Sequence, residues 1–80
     1  MINLNVHPNP TNGELYLTSS LSGQFNIKIT DIEGRLVKEM KMISLDSKPY
    51  LMDINNKVTG FYIISISNDN LERNFRIIKQ

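Results

Sequence analysis

The sequence predicts an all-β chain, an antiparallel β-sandwich of about seven short strands, and three observations predict it. Apolar residues recur at every second position through almost the whole chain, the period of a strand. Clusters of Gly, Pro, Asn and Asp interrupt that alternation at fairly regular intervals. No window shows the 3.6-residue period of a helix. With 80 residues, 40% hydrophobic and 21% charged, the composition is that of one small globular domain rather than a disordered segment.

Taken in order, Ile2, Leu4 and Val6 alternate with Asn3, Asn5 and His7, so that a strand begins directly at Met1. Pro8-Asn9-Pro10-Thr11-Asn12-Gly13 then forbids both strand and helix, and is expected to be a fixed turn. Leu15 and Leu17 define one face of a second strand, and residues 19–23 are expected to form a loop. The cleanest strand covers residues 24–30, with Phe25, Ile27 and Ile29 inward. Asp31-Ile32-Glu33-Gly34 has the form of a tight hairpin turn: Asp31 can accept backbone N–H groups two residues on, and Gly34 can take the positive φ of a type I turn with a bulge.

The returning strand, from Arg35 to about Ile43, is less regular. Leu36, Met40 and Met42 share a face with Lys38 while Val37 falls on the other, and a β-bulge near Leu36-Val37 would reconcile them. Residues 44–49 read as a polar connection, and Tyr50, Met52 and Ile54 as a further short strand. After a turn over residues 55–60, Tyr62, Ile64 and Ile66 mark the inner face of a strongly β-prone run. Residues 61–66 carry no charge, and edge-to-edge self-association is expected if they are exposed. Asn68-Asp69-Asn70 is a turn, and residues 72–79 close the chain with Phe75 and Ile77 on one face. Gly60-Phe61-Tyr62 has the pattern of a tyrosine corner, in which the Tyr62 hydroxyl would bond backbone near Val58.

Charge and residue content exclude several functions. Nine Lys+Arg against eight Asp+Glu leave a net charge of +1, with no basic stripe, so no nucleic-acid partner is expected. Cysteine is absent, which removes disulfides, thiolate metal sites and a thiol nucleophile. A single histidine, His7, cannot supply a metal or base–nucleophile constellation, and no serine lies in a Gly-x-Ser-x-Gly elbow. Asp31 and Asp53 could be imagined as a glycosidase pair, but each reads better as a turn acceptor. The four glycines fall in separate turns and form no phosphate cradle. Asn68-Asp69-Asn70 lacks the spacing of a calcium loop. No cofactor and no catalysis are expected. The first residues have neither a charged n-region nor an apolar h-region, so no signal peptide is expected. Nothing is long and apolar enough to span a bilayer.

The turn segments together are more informative than any one. Pro8-Asn9-Pro10-Thr11-Asn12-Gly13, then Asp31-Ile32-Glu33-Gly34-Arg35-Leu36-Val37, then Asp53-Ile54 with Gly60-Phe61-Tyr62, and Ile77-Ile78-Lys79 occur in that order. This series resembles the C-terminal sorting domain of proteins exported by the type IX (Por) secretion system of Bacteroidetes, over residues 6–79. His7 replaces a usual aromatic, Thr59 a usual small residue or proline, and Gln80 extends past the terminal lysine.

The resemblance implies an immunoglobulin-like sandwich that acts as a non-catalytic signal. It implies a single sorting domain over residues 1–80, excised from a larger secreted protein whose cargo lies N-terminal. It also implies transit through the periplasm to the cell surface or beyond, by way of an outer-membrane translocon and its shuttle protein, with removal by a surface sortase. The domain itself is expected to be a monomer. A receptor could read Arg35, Arg73, Arg76, Ile78 and Lys79. Arg35 either pairs with Asp31 or contacts the machinery, and Lys79, near the terminus, has little evident structural work. Pro8, Asn9, Pro10, Gly13, Asp31, Gly34, Gly60 and Tyr62 are expected to serve turn geometry. Two other readings are an adhesion or carbohydrate-binding module, which would want an exposed aromatic platform, and a passive spacer.

Overall fold

The computed structural model describes residues 4–20, 22–46 and 48–80. Seven strands and no helix occur among them: β1 Leu4–His7, β2 Glu14–Ser19, β3 Ser22–Asp31, β4 Leu36–Asp46, β5 Tyr50–Asp53, β6 Gly60–Ser67 and β7 Glu72–Lys79. They form a three-stranded sheet ordered β1-β2-β5 and a four-stranded sheet ordered β4-β3-β6-β7. Every strand pair is antiparallel. The chain crosses between sheets after β2, β4 and β5, which is the immunoglobulin-like arrangement.

The period-two pattern decides the core. Leu15, Leu17, Met52 and Ile54 project from one sheet; Phe25, Ile27, Ile29, Tyr62, Ile64, Ile66 and Ile77 meet them from the other, all buried. Each such large side chain contributes about 1.5–3 kcal/mol by leaving water. Phe75 packs at the margin of this cluster, with Val37, Met40 and Ile43.

Strand β4 departs from the simple alternation twice. Thr30 pairs with Leu36 but Ile29 with Lys38, so Val37 is the extra residue of the bulge expected there. A second irregularity lies between the Phe25–Ile43 and Ile27–Met40 pairs, where Met42 takes a positive φ of 56°. The Asn26 Oδ1 accepts the Met42 N–H (3.0 Å), replacing the ladder bond that the kink removes. The two bulges together put Met40, Ile43 and Leu45 toward the core and leave Leu36 and Met42 exposed. The expectation that Leu36, Met40 and Met42 share a face is thereby corrected.

Other expectations shift at element ends. Ser19 belongs to β2, and Ser22 and Gly23 to β3, so the 19–23 loop is shorter than expected. Residues 44–46 extend β4 rather than forming a polar connection. The readings that involve Met1, Ile2, Asn3, Leu21 and Ser47 lie outside the described residues. The concern over residues 61–66 is also overturned: β6 is paired on both sides, by β3 and β7, and offers no open edge.

Candidate recognition surface

The segment after β1 joins the two sheets. His7–Pro8 and Asn9–Pro10 are both cis, and beyond them the chain leaves the β1-β2-β5 sheet to lie alongside β7. The Asn9 Nδ2 donates to the Arg76 carbonyl (2.9 Å), and the Asn9 Oδ1 accepts the Ile78 N–H (3.0 Å). Thr11 N–H donates to the Ile78 carbonyl (2.9 Å), and Gln80 N–H to the Thr11 carbonyl (2.8 Å). A side-chain amide and one backbone residue thus complete four successive edge groups of the last strand. Thr11 is buried; its hydroxyl donates to the Glu14 carbonyl and accepts the Gly13 N–H. At Gly13, φ is +136°, and a Cβ there would stand 2.8 Å from the Asn55 Cα, so this position requires glycine.

The hairpin turn between β3 and β4 is built around Asp31. Its Oδ1 accepts the Glu33 and Arg35 N–H groups, each at 2.9 Å. The Arg35 Nε donates to Asp31 Oδ2 (3.0 Å) and its Nη2 to Glu33 Oε1 (2.7 Å). Gly34 N–H donates to the Asp31 carbonyl, and Asp31 N–H to the Arg35 carbonyl, with Gly34 at φ +86°. The Arg35 N–H bond does most to hold the Asp31 carboxyl below its ordinary range; desolvation opposes it, and the guanidinium and the Glu33 N–H add smaller lowering effects. Asp53, in the other sheet, is likewise lowered by the N–H and side-chain amide of Asn55. The two aspartates serve two separate turns. His7 is exposed and stacks on Tyr16 at a centroid distance of 6.1 Å. The Tyr62 hydroxyl donates to the Val58 carbonyl, the tyrosine corner that fixes the entry to β6.

The Asp31 turn, the tyrosine corner and the bonds from Asn9 and Thr11 lie at one end of the four-stranded sheet. Cross-strand pairing sets Leu36, Thr30, Ile63 and Arg76 in one row and Phe61 opposite Ile78 in the next, with Ile32 on the adjoining turn. Side chains directly opposite lie about 4.5–5.5 Å apart at Cβ. Ile32, Phe61, Ile63 and Arg76 line a shallow apolar depression, floored by Tyr62. Ile32 is 74% exposed, Leu36 56%, Phe61 50% and Ile63 40%. This is a contiguous apolar patch on an outer surface, where single exposed apolar residues would need no explanation.

The residues singled out from sequence are not all brought together. Arg76 and Ile78 lie on the patch, and Arg76 forms no ion pair among the described residues. Arg35 is exposed at the adjoining turn, its guanidinium held by Asp31 and Glu33. Arg73 lies toward the other end of β7, with its Nη1 on the Glu72 carbonyl. Lys79 is only 7% exposed and pairs with Gly60 and Thr11, so it has the structural work that its place near the terminus did not suggest. Ile32, Leu36, Phe61 and Ile63 were missed. The available signal was Phe61-Tyr62-Ile63-Ile64, four apolar residues in a row where alternation asks for two polar ones.

Phe61 is the one exposed aromatic side chain of the patch, and no exposed tyrosine joins it to make a platform for sugar stacking. Tyr62 is buried, Tyr50 packs against the core, and Tyr16 lies against His7. Among the described residues, no group of three or more His, Cys, Asp or Glu side chains is placed to hold a metal ion. No curated protein matches the chain significantly. A family model described as "Secretion system C-terminal sorting domain" matches residues 5–80. The chain therefore belongs to the family of type IX secretion C-terminal sorting domains, and its role is that of a signal for export out of the cell.

Proposed function

We propose that the domain spans residues 1–80 of a longer protein whose cargo precedes it, and that the translocon and its shuttle protein read the apolar end of the outer face. In this reading Phe61, Ile63 and Ile78 supply the contact area and Arg76 an anchoring charge. Arg35 fixes the turn that presents Ile32, while Arg73 and Lys79 lie outside the contact. A surface sortase then separates cargo from signal. The single observation that carries this reading is the patch itself. A chain of 80 residues leaves four large aliphatic or aromatic groups of one sheet end in water, although polar residues would serve the fold as well.

The test is export of a periplasmic reporter fused ahead of the domain in a bacterium with the type IX machinery. Truncating the last residues would confuse the result, because it removes Ile77, which is 1% exposed, and the bonds to Thr11. Surface substitutions avoid this. Ile63→Ser with Arg76→Glu is expected to abolish export while the domain keeps its thermal transition. Unchanged export of that folded variant would place the address elsewhere on the domain.

A further inference from the structure

Strand β7 is an edge strand, and only part of that edge is covered. The bonds from Asn9 and Thr11 occupy the carbonyl of Arg76, both groups of Ile78 and the N–H of Gln80. These bonds show that even-numbered residues of β7 turn their backbone groups away from β6. By the alternation of an antiparallel ladder, the N–H and C=O of Asn74 and the N–H of Arg76 face outward as well. No backbone or side-chain partner for these groups occurs among the described residues. The Glu72 carbonyl accepts only the local Arg73 guanidinium at 3.1 Å. The open stretch therefore runs from Glu72 to the N–H of Arg76, whose carbonyl Asn9 already occupies.

From this stretch we infer that two copies of the domain pair antiparallel through β7 about a twofold axis at Asn74. In that register the Asn74 N–H of each copy donates to the Asn74 carbonyl of the other, and each Arg76 N–H donates to the other copy's Glu72 carbonyl. Glu72, Asn74 and Arg76 all project from the outer face, because Phe75 and Ile77 point inward. Each Glu72 carboxylate thus lies directly opposite the other copy's Arg76 guanidinium, an opposite-charge cross-strand pair at both ends of the contact. Toward the inner side, each Arg73 meets the other copy's Phe75.

Neither Glu72 nor Arg76 has an ion pair within its own chain among the described residues. Parallel pairing in register would set Glu72 against Glu72 and is disfavoured. A slip toward Ile78 is blocked, since the groups it needs are held by Asn9 and Thr11. Covered edge and charge pattern therefore select one register. Charged residues on an edge ordinarily resist pairing; here their order permits one mode of it. The contact is short, and the dimer it forms is weak and reversible.

Sedimentation equilibrium of the 80-residue chain tests this from about 10 μM to about 1 mM, the range in which a contact of this size associates. A monomer–dimer equilibrium weakened by added salt is expected. Glu72→Arg and Arg76→Glu should each weaken association about tenfold or more, and the double charge swap should restore it. All three variants change exposed side chains, and their thermal transitions check that they fold. A monomer throughout the range, a dimer indifferent to either reversal, or a double swap that fails to recover would each overturn the proposal. Export plays no part in this measurement, so its outcome is independent of the recognition reading.

Discussion

At one end of the outer face of the four-stranded sheet, Lys28 pairs with Glu39 and Ser65, and Ser65 with Asn74; Asn26 and Glu72 each face Ser67. The Ser65 hydroxyl and the Asn74 side chain bond each other at 2.6 Å. One row closer to the Asp31 turn, the same four strands present Leu36, Thr30, Ile63 and Arg76, and then Phe61 and Ile78. The same four strands run through both ends, with the Val37 bulge of β4 between them. The pairing of β3, β6 and β7 is regular throughout, so nothing in it asks for the switch from polar to apolar at Ile63 and Phe61. A sheet end that is apolar without need is where a partner is to be sought.

The strongest way to break this comparison uses neighbouring residues of β6. Ile64 is fully buried and Ile63 is 40% exposed. Ile64→Ala should cost about 2–5 kcal/mol through lost burial and the cavity left behind. Ile63→Ala should cost under about 1 kcal/mol. Urea denaturation measures both. Equal losses would mean that the outer apolar end is structural, and the argument for a recognition role would lose its footing.

How far the sequence revealed this arrangement depends on distance along the chain. The inner faces of β2, β3, β6 and β7 follow from local alternation: Leu15 with Leu17, Phe25 with Ile27 and Ile29, Tyr62 with Ile64 and Ile66, Phe75 with Ile77. The bond from Tyr62 to Val58 spans four residues and was legible for that reason. Strand β4 was misread at Met42 because its bulge is stabilised by Asn26, sixteen residues away, and nothing beside Met42 announces it. Lys79 was misread because its burial depends on residues 9–13, at the opposite end of the chain. The apolar patch shows as an excess in the 61–64 run, but its extent requires the register that sets Ile78 and Leu36 beside it.

The two halves of the β7 edge offer a second, smaller contrast. Asn9→Ala removes two hydrogen bonds to Arg76 and Ile78 and should cost about 1–2 kcal/mol, since water can replace them at an exposed site. Hydrogen exchange sharpens the point. At dilute protein concentration the Ile78 and Gln80 amides should exchange slowly and the Asn74 amide fast, and Asn9→Ala should speed Ile78 selectively. Uniform protection along β7 would mean that the edge is covered throughout. Tyr62→Phe, which loses the corner bond beneath the patch, should cost about 1 kcal/mol by thermal unfolding. An unchanged transition would show that the hydroxyl contributes nothing to fixing the entry to β6.

The smallest expected effect is a pH dependence seated in the Asp31 turn, which carries Ile32 and leads into Leu36. The folded state holds the Asp31 carboxyl below its ordinary value of 3.8, first through the Arg35 N–H and then through the guanidinium and the Glu33 N–H. Between the lowered and ordinary values the unfolded chain binds more protons than the folded one, so stability rises with pH. The contribution is complete above the ordinary value and is lost as pH falls through the lowered one. Asp31→Asn keeps one acceptor for the backbone N–H groups but removes the charge, and should flatten that acid limb while changing little at neutral pH. Because Asp53 is lowered in the same direction, part of the slope should survive in this variant and vanish only when Asp53→Asn is added. An acid limb unaltered by Asp31→Asn would show that the turn draws its order from Gly34 and the backbone bonds alone, and that its charges are free to serve something other than the hairpin.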